Sequence, residues 1–137
     1  METAIFSLEN YVFDKIELDV QNLNAGDTIS LSFNPTGVYS QNVGVYELCF
    51  ICDAIVESKA TPVVHVSCKA QFKFKDVVAF HNLPTFFFSN SIAILFPYVR
   101  AMVSTLTLQA NIPPIVLPTM NLTSLSQQLQ SSTTIVE

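Results

Sequence analysis

The chain has 137 residues, half of them hydrophobic and only 12% charged, against about 25% in an average soluble domain. That length suits one domain able to bury about two-thirds of its unfolded surface, and that composition excludes a disordered chain. A net charge of −5 without a basic stripe excludes an electrostatic nucleic-acid surface.

A chain so apolar needs other subunits or an apolar ligand to cover part of its exterior. Glu2 stands where a signal peptide would be cationic, and the longest apolar stretch, Ile92 to Val103, is interrupted by Pro97 and Arg100. It is shorter than the roughly 20 residues of a membrane span, so a soluble cytoplasmic protein is expected, without membrane insertion. Three cysteines suggest no disulfide framework. Cys49 and Cys52 lie three apart in a strand-like run, which points them to opposite faces and makes a shared metal unfavourable.

In chain order, Ile5 to Val20 reads as a strand, with Ile16, Leu18 and Val20 alternating with Glu17 and Asp19 and an irregularity near Asp14-Lys15. Asn24-Ala25-Gly26-Asp27 is a turn signal. Ile29, Leu31 and Phe33 mark a second strand, which Asn34-Pro35-Thr36-Gly37 is expected to end before an irregular connection to Asn42. From Val43 to Val56, Tyr46, Leu48, Phe50, Cys52, Ala54 and Val56 share an apolar face. From Val63 to Lys75, Val64, Val66, Cys68, Ala70, Phe72 and Phe74 do so, opposite His65, Ser67, Lys69, Gln71, Lys73 and Lys75. A hairpin centred near Lys59 sets Asp53 against His65 and Glu47 against Gln71, matching polar with polar.

After Phe86-Phe87-Phe88 comes the main helix, with Ser89 or Ser91 as the expected N-cap. Ile92, Leu95, Phe96, Val99, Met102, Val103 and Leu106 recur at helical spacing, and Ile94, Tyr98, Ala101 and Leu108 make a further apolar side. Pro97 is expected to bend its first turns. Asn111-Ile112-Pro113-Pro114 stops it, Ile115 to Pro118 is extended, and a short helix from Asn121 to Gln130 carries Leu122, Leu125 and Leu129. Strands followed by helices give an α+β class with a four-stranded antiparallel sheet. The expected organisation is one domain over residues 1–130 and a loose tail over 131–137.

Catalytic signals are sparse. There are two histidines and three glycines, and no phosphate loop, nucleophile elbow or zinc-ligand spacing. No enzyme, metal or cofactor is expected. The surplus of apolar surface favours an oligomer with a groove for extended or unfolded chains; the rival reading is a small-molecule-binding or enzymatic α+β domain with a closed apolar pocket.

The run Ala93-Ile94-Leu95-Phe96-Pro97-Tyr98-Val99-Arg100 resembles the ILFPYAR signature of the SecB protein-export chaperones. Ile112-Pro113-Pro114-Ile115-Val116-Leu117-Pro118 with Asn121-Leu122 is similar to that family's segment after its main helix, and Val45-Tyr46-Glu47-Leu48 to the VYEV of a central strand. The resemblance implies an ATP-independent holdase assembled as a homotetramer, a dimer of dimers. By position it implies a client groove lined by Tyr46, Leu48, Phe72, Phe74, Ile115, Leu117, Leu122 and Leu125. It assigns Tyr98, Val99, Met102, Val103 and Leu106 to the subunit interface. It further implies docking of the SecA motor on an outer sheet face, here Asp19, Glu47, Asp53 and His65. His65 with Lys69 and Lys73 makes that face more basic than such docking requires. The departures lean toward a dedicated client such as an antitoxin beside general preproteins.

Overall fold

The computed structural model describes residues 5–119 and 121–137. Met1–Ala4 of the expected 1–130 domain, and Met120 of the segment after the main helix, lie outside them. The elements are β1 (Phe6–Leu18), β2 (Ile29–Ser40), β3 (Val45–Val56), β4 (Thr61–Phe74), α1 (Phe86–Gln109), α2 (Leu122–Ser131) and β5 (Thr133–Val136), with a 3-10 turn at Phe80–Asn82. The sheet order is β1-β4-β3-β2-β5. The first four strands pair antiparallel, and β5 joins β2 in parallel.

The register of β3 against β4 is the expected one: Asp53 faces His65 and Glu47 faces Gln71. Every second residue of β3, from Tyr46 to Val56, is buried, so one sheet face is covered and the other is open. Long β1 must keep the same pattern. Its register slips between Leu8 and Asn10 and again between Phe13 and Lys15. The second slip is the expected irregularity; the first is not visible in the alternation. Together they return Phe6, Leu8, Tyr11, Phe13, Ile16 and Leu18 to one face, opposite Phe74, Phe72, Ala70, Cys68, Val66 and Val64.

Several expectations need correction. β2 does not end at Asn34 but runs on to Ser40. Pro35 is tolerated because its backbone edge faces away from β3, where its carbonyl accepts the Ser132 hydroxyl at 3.1 Å. The main helix begins at Phe86, not at Ser89 or Ser91, and the Thr85 side chain makes no capping bond. The Phe87 ring lies 4.8 Å from those of Phe6, Tyr46 and Phe74, so aromatic packing holds the first turn without a polar cap. The sheet has five strands rather than four, because Thr133–Val136, expected in a loose tail, pairs with Gly37–Ser40. The four residues of β5 are all β-branched, which suits a strand.

α1 packs across the covered face with Phe87, Phe88, Ile92, Leu95, Val99 and Val103 buried. Its 24 residues are long and apolar enough to cross a membrane by length and composition, which corrects the expectation from the shorter Ile92–Val103 stretch. A third of its apolar stretch is buried within the chain by packing on the sheet. Pro97 lies at mid-helix rather than in the first turns, on an exposed side.

Candidate client-binding groove

The segment after α1 is held on the helix by two hydroxyls. Asn111, in the left-handed region at φ 60°, turns the chain back, a conformation asparagine tolerates. The buried Thr107 Oγ1 accepts the Ile115 N–H at 2.9 Å and donates to the Val103 carbonyl at 2.9 Å. Ser104 Oγ donates to the Ile115 carbonyl at 3.0 Å. Both backbone groups of Ile115 are thus satisfied by α1 side chains, and alternation sends Leu117 into the core while Ile115 stays partly exposed.

Beside Ile115 opens a cavity of about 370 Å³, lined by Leu23, Ala25, Ile29, Ile112, Pro113 and the turn at Gly26-Asp27. Lys59 steadies that turn: its Nζ donates to the Asn22 carbonyl at 2.8 Å and lies 3.7 Å from Asp27. A second hollow of about 250 Å³ lies between α1 and the same segment, with Phe96, Pro97, Arg100, Pro118 and Leu122 on its walls. Phe33 links the two, packing edge-on against Phe96 at 6.0 Å from the strand that also carries Ile29. The result is an apolar strip along β2 and the Ile112–Leu122 segment.

Of the eight residues expected in the groove, Ile115 and Leu122 line these hollows. Tyr46, Leu48, Phe72 and Leu117 have no exposure, and Phe74 and Leu125 are buried as well. Within one chain these six form the floor of the core, because α1 and α2 lie directly on them. Leu23, Ile29, Phe96 and Pro113 were missed as lining. The alternation of β2 placed Ile29 on the apolar face, but nothing local joined it to Ile115, some 86 residues away (115 − 29).

The expected interface residues also separate. Val99 and Val103 are core, whereas Tyr98 is 42% exposed and Met102 and Leu106 are partly buried. Tyr98 stacks on Tyr11 of β1 with centroids 4.4 Å apart. With Phe13, Ala101, Met102 and Thr105 they border a further hollow, near exposed Ile94, Ile16 and Leu108. On the open sheet face His65 Nδ1 donates to Asp53 Oδ1 at 2.5 Å, Glu17 is the other cross-strand neighbour of His65, Asp19 is exposed and Glu47 is half-buried. Lys69 lies 3.8 Å from Asp14. Cys49 is on this face and Cys52 and Cys68 are buried on the other, as strand alternation requires. Among the described residues no group of three or more His, Cys, Asp or Glu side chains could hold a metal ion.

The sequence profile of the SecB family, described as preprotein translocase subunit SecB, matches residues 7–133. The chain belongs to the SecB family. Among solved structures, a SecB-like chaperone of Mycobacterium tuberculosis, in complex with a ChAD peptide from the HigA1 antitoxin, superposes with a TM-score of 0.69. The match has 16% identity and covers 85% of this chain and 88% of that one. An uncharacterized protein of Methanocaldococcus jannaschii is 54% identical over 41 residues, 30% of this chain and 26% of that protein's length. The SecB assignment is the one to which Ala93–Arg100 pointed, and the α+β class is the expected one.

Proposed function

We propose that this SecB-family chain is an ATP-independent holdase that binds unfolded or extended polypeptides along the strip bounded by Leu23, Ile29, Ile115 and Leu122. The carrying observation is the Ser104–Thr107 clasp on Ile115, which keeps an apolar segment rigid and half-exposed beside a hollow. A preformed groove spares the ordering cost of binding, and apolar burial supplies affinity at about 25 cal/mol per Å². No reacting group is needed, and no enzymatic activity is part of this reading.

Clients are preproteins or a dedicated partner such as an antitoxin. The peptide complex of the M. tuberculosis relative favours the second, as does an outer face where β4 carries Lys69 and Lys73 on the same side as His65. The protein acts in the cytoplasm as a homotetramer, a dimer of dimers joined through the exposed side of α1 around Tyr98. SecA docking on the Asp19–Glu47–Asp53–His65 face is the weaker part of the resemblance.

The test is suppression of aggregation of a chemically unfolded protein by wild type and by Ile115→Ser/Leu122→Ser. Both residues are only partly buried, so the variant keeps its fold by circular dichroism and loses most of its holding capacity. Aggregation of the unfolded protein unchanged by the wild type would sink the proposal.

A further inference from the structure

The outer edge of β2 is occupied by a segment of the same chain. β2 has twelve residues and β5 covers four of them, Gly37–Ser40. Although β5 is apolar at its end, Ile135 is 46% and Val136 39% exposed, so hydrophobic burial contributes little to holding it. Hydrogen bonds do most of the holding. Tyr46 Oη and Thr133 Oγ1 are 2.6 Å apart, and the Gln41 N–H donates to the Val136 carbonyl at 3.2 Å. α2 is anchored separately by buried Leu125 and Leu129, so β5 can leave the edge while the helix stays docked. Backbone pairing with weakly buried β-branched side chains is how a sheet edge recognises an extended peptide. The edge therefore displays the class of ligand it accepts.

We infer that β5 is an exchangeable internal ligand: an extended, β-branched apolar segment of a client displaces it and pairs with Gly37–Ser40 of β2. The inference rests on the holdase reading and adds the way a client is gripped. With no client present, β5 pairs with the backbone of Gly37–Ser40. Apparent client affinity falls with the fraction of molecules whose edge is occupied.

The experiment locks β5 in place. Val38 and Thr134 are cross-strand partners and both exposed, so Val38→Cys/Thr134→Cys, in a Cys49→Ser background that removes the other thiol of that face, closes a disulfide on oxidation. The probe is reduced, carboxymethylated lactalbumin, which cannot refold, followed by fluorescence anisotropy. The oxidised form is expected to bind at least about tenfold more weakly than the reduced form, with full recovery on adding reductant. In unmodified protein, the amides joining β5 to β2 are expected to exchange with solvent far faster than those between β3 and β4. Equal binding by oxidised and reduced forms, or equal protection of the two ladders, overturns the exchange and leaves the holdase reading standing. No binding by any form, wild type included, overturns both.

Discussion

Tyr46 reaches Thr133 by crossing directly over Gly37. The two hydroxyls are 2.6 Å apart, and Thr133 Oγ1 also bonds the Leu129 carbonyl at 2.8 Å. A Cβ on Gly37 would stand 1.9 Å from Tyr46 Oη, so β3, β2 and β5 meet only because that residue has no side chain. Gly37→Ala is expected to cost about 3 kcal/mol in urea unfolding, the upper range for overpacking. Tyr46→Phe, which keeps the ring and loses one bond, should cost about 1 kcal/mol. Equal effects of the two would show that the crossing is not close-packed.

Thr107 tests the clasp on Ile115. Thr107→Val keeps the shape of a fully buried side chain but leaves the Ile115 N–H without a partner. A loss of about 2 kcal/mol is expected, with Thr107→Ser retaining most of the stability. The same variant should weaken client holding, since the segment facing the hollow is no longer fixed. Stability of Thr107→Val equal to wild type would remove the clasp from the explanation.

Exposed Tyr98, stacked on Tyr11, gives the assembly prediction. Tyr98→Asp puts a charge on the strip shared with Ile94 and Leu108 while leaving the buried Val99 and Val103 in place. Sedimentation is expected to show a smaller particle than wild type at the same concentration. A variant particle as large as wild type would place the interface elsewhere, and a wild type already monomeric at tens of micromolar would overturn the assembly.

Alkali should destabilise the fold through buried thiols and a buried phenol. Burial pushes Cys52, helped by the charge of Asp53, and Cys68, helped by Asp14, from 9.0 up to about 12. Burial likewise pushes Tyr46 from 10.0 to about 12, against the bond from Thr133. Each acid keeps its proton longer folded than unfolded, so the unfolded state binds fewer protons and stability falls as pH rises. The loss begins near pH 9 and continues toward pH 12. Urea midpoints at pH 8, 9 and 10 check this, and a flat midpoint would contradict it.

Strand alternation and helical spacing made much of this molecule legible. The face pairing of β3 with β4 was legible from matching Asp53 with His65 and Glu47 with Gln71, because a one-residue slip would expose the whole apolar face; the irregularity between Ala54 and Ile55 left no mark in the alternation. β5 was not legible: Ser131-Ser132-Thr133-Thr134-Ile135-Val136-Glu137 has no hydrophobic period long enough to distinguish a strand from a tail. Its pairing depends on an edge 96 residues upstream (133 − 37), left open by a glycine. The helix start failed for a related reason, since Phe86 to Phe88 carries no capping signal and is fixed by rings from three other elements.

The groove divides in the same way. The sequence by itself determined the family, through Ala93–Arg100, and which residues are apolar enough to bind or to pack. Tertiary structure decided which of them remain available. Tyr46 and Phe72 lie under α1, while Ile115 and Leu122 are left at the surface beside Leu23 and Ile29. Hydrophobic burial is non-directional, so composition cannot distinguish an apolar side chain used in a core from one kept for a client. For Ile115 the hydrogen bonds of Thr107 and Ser104, which are directional, set that boundary.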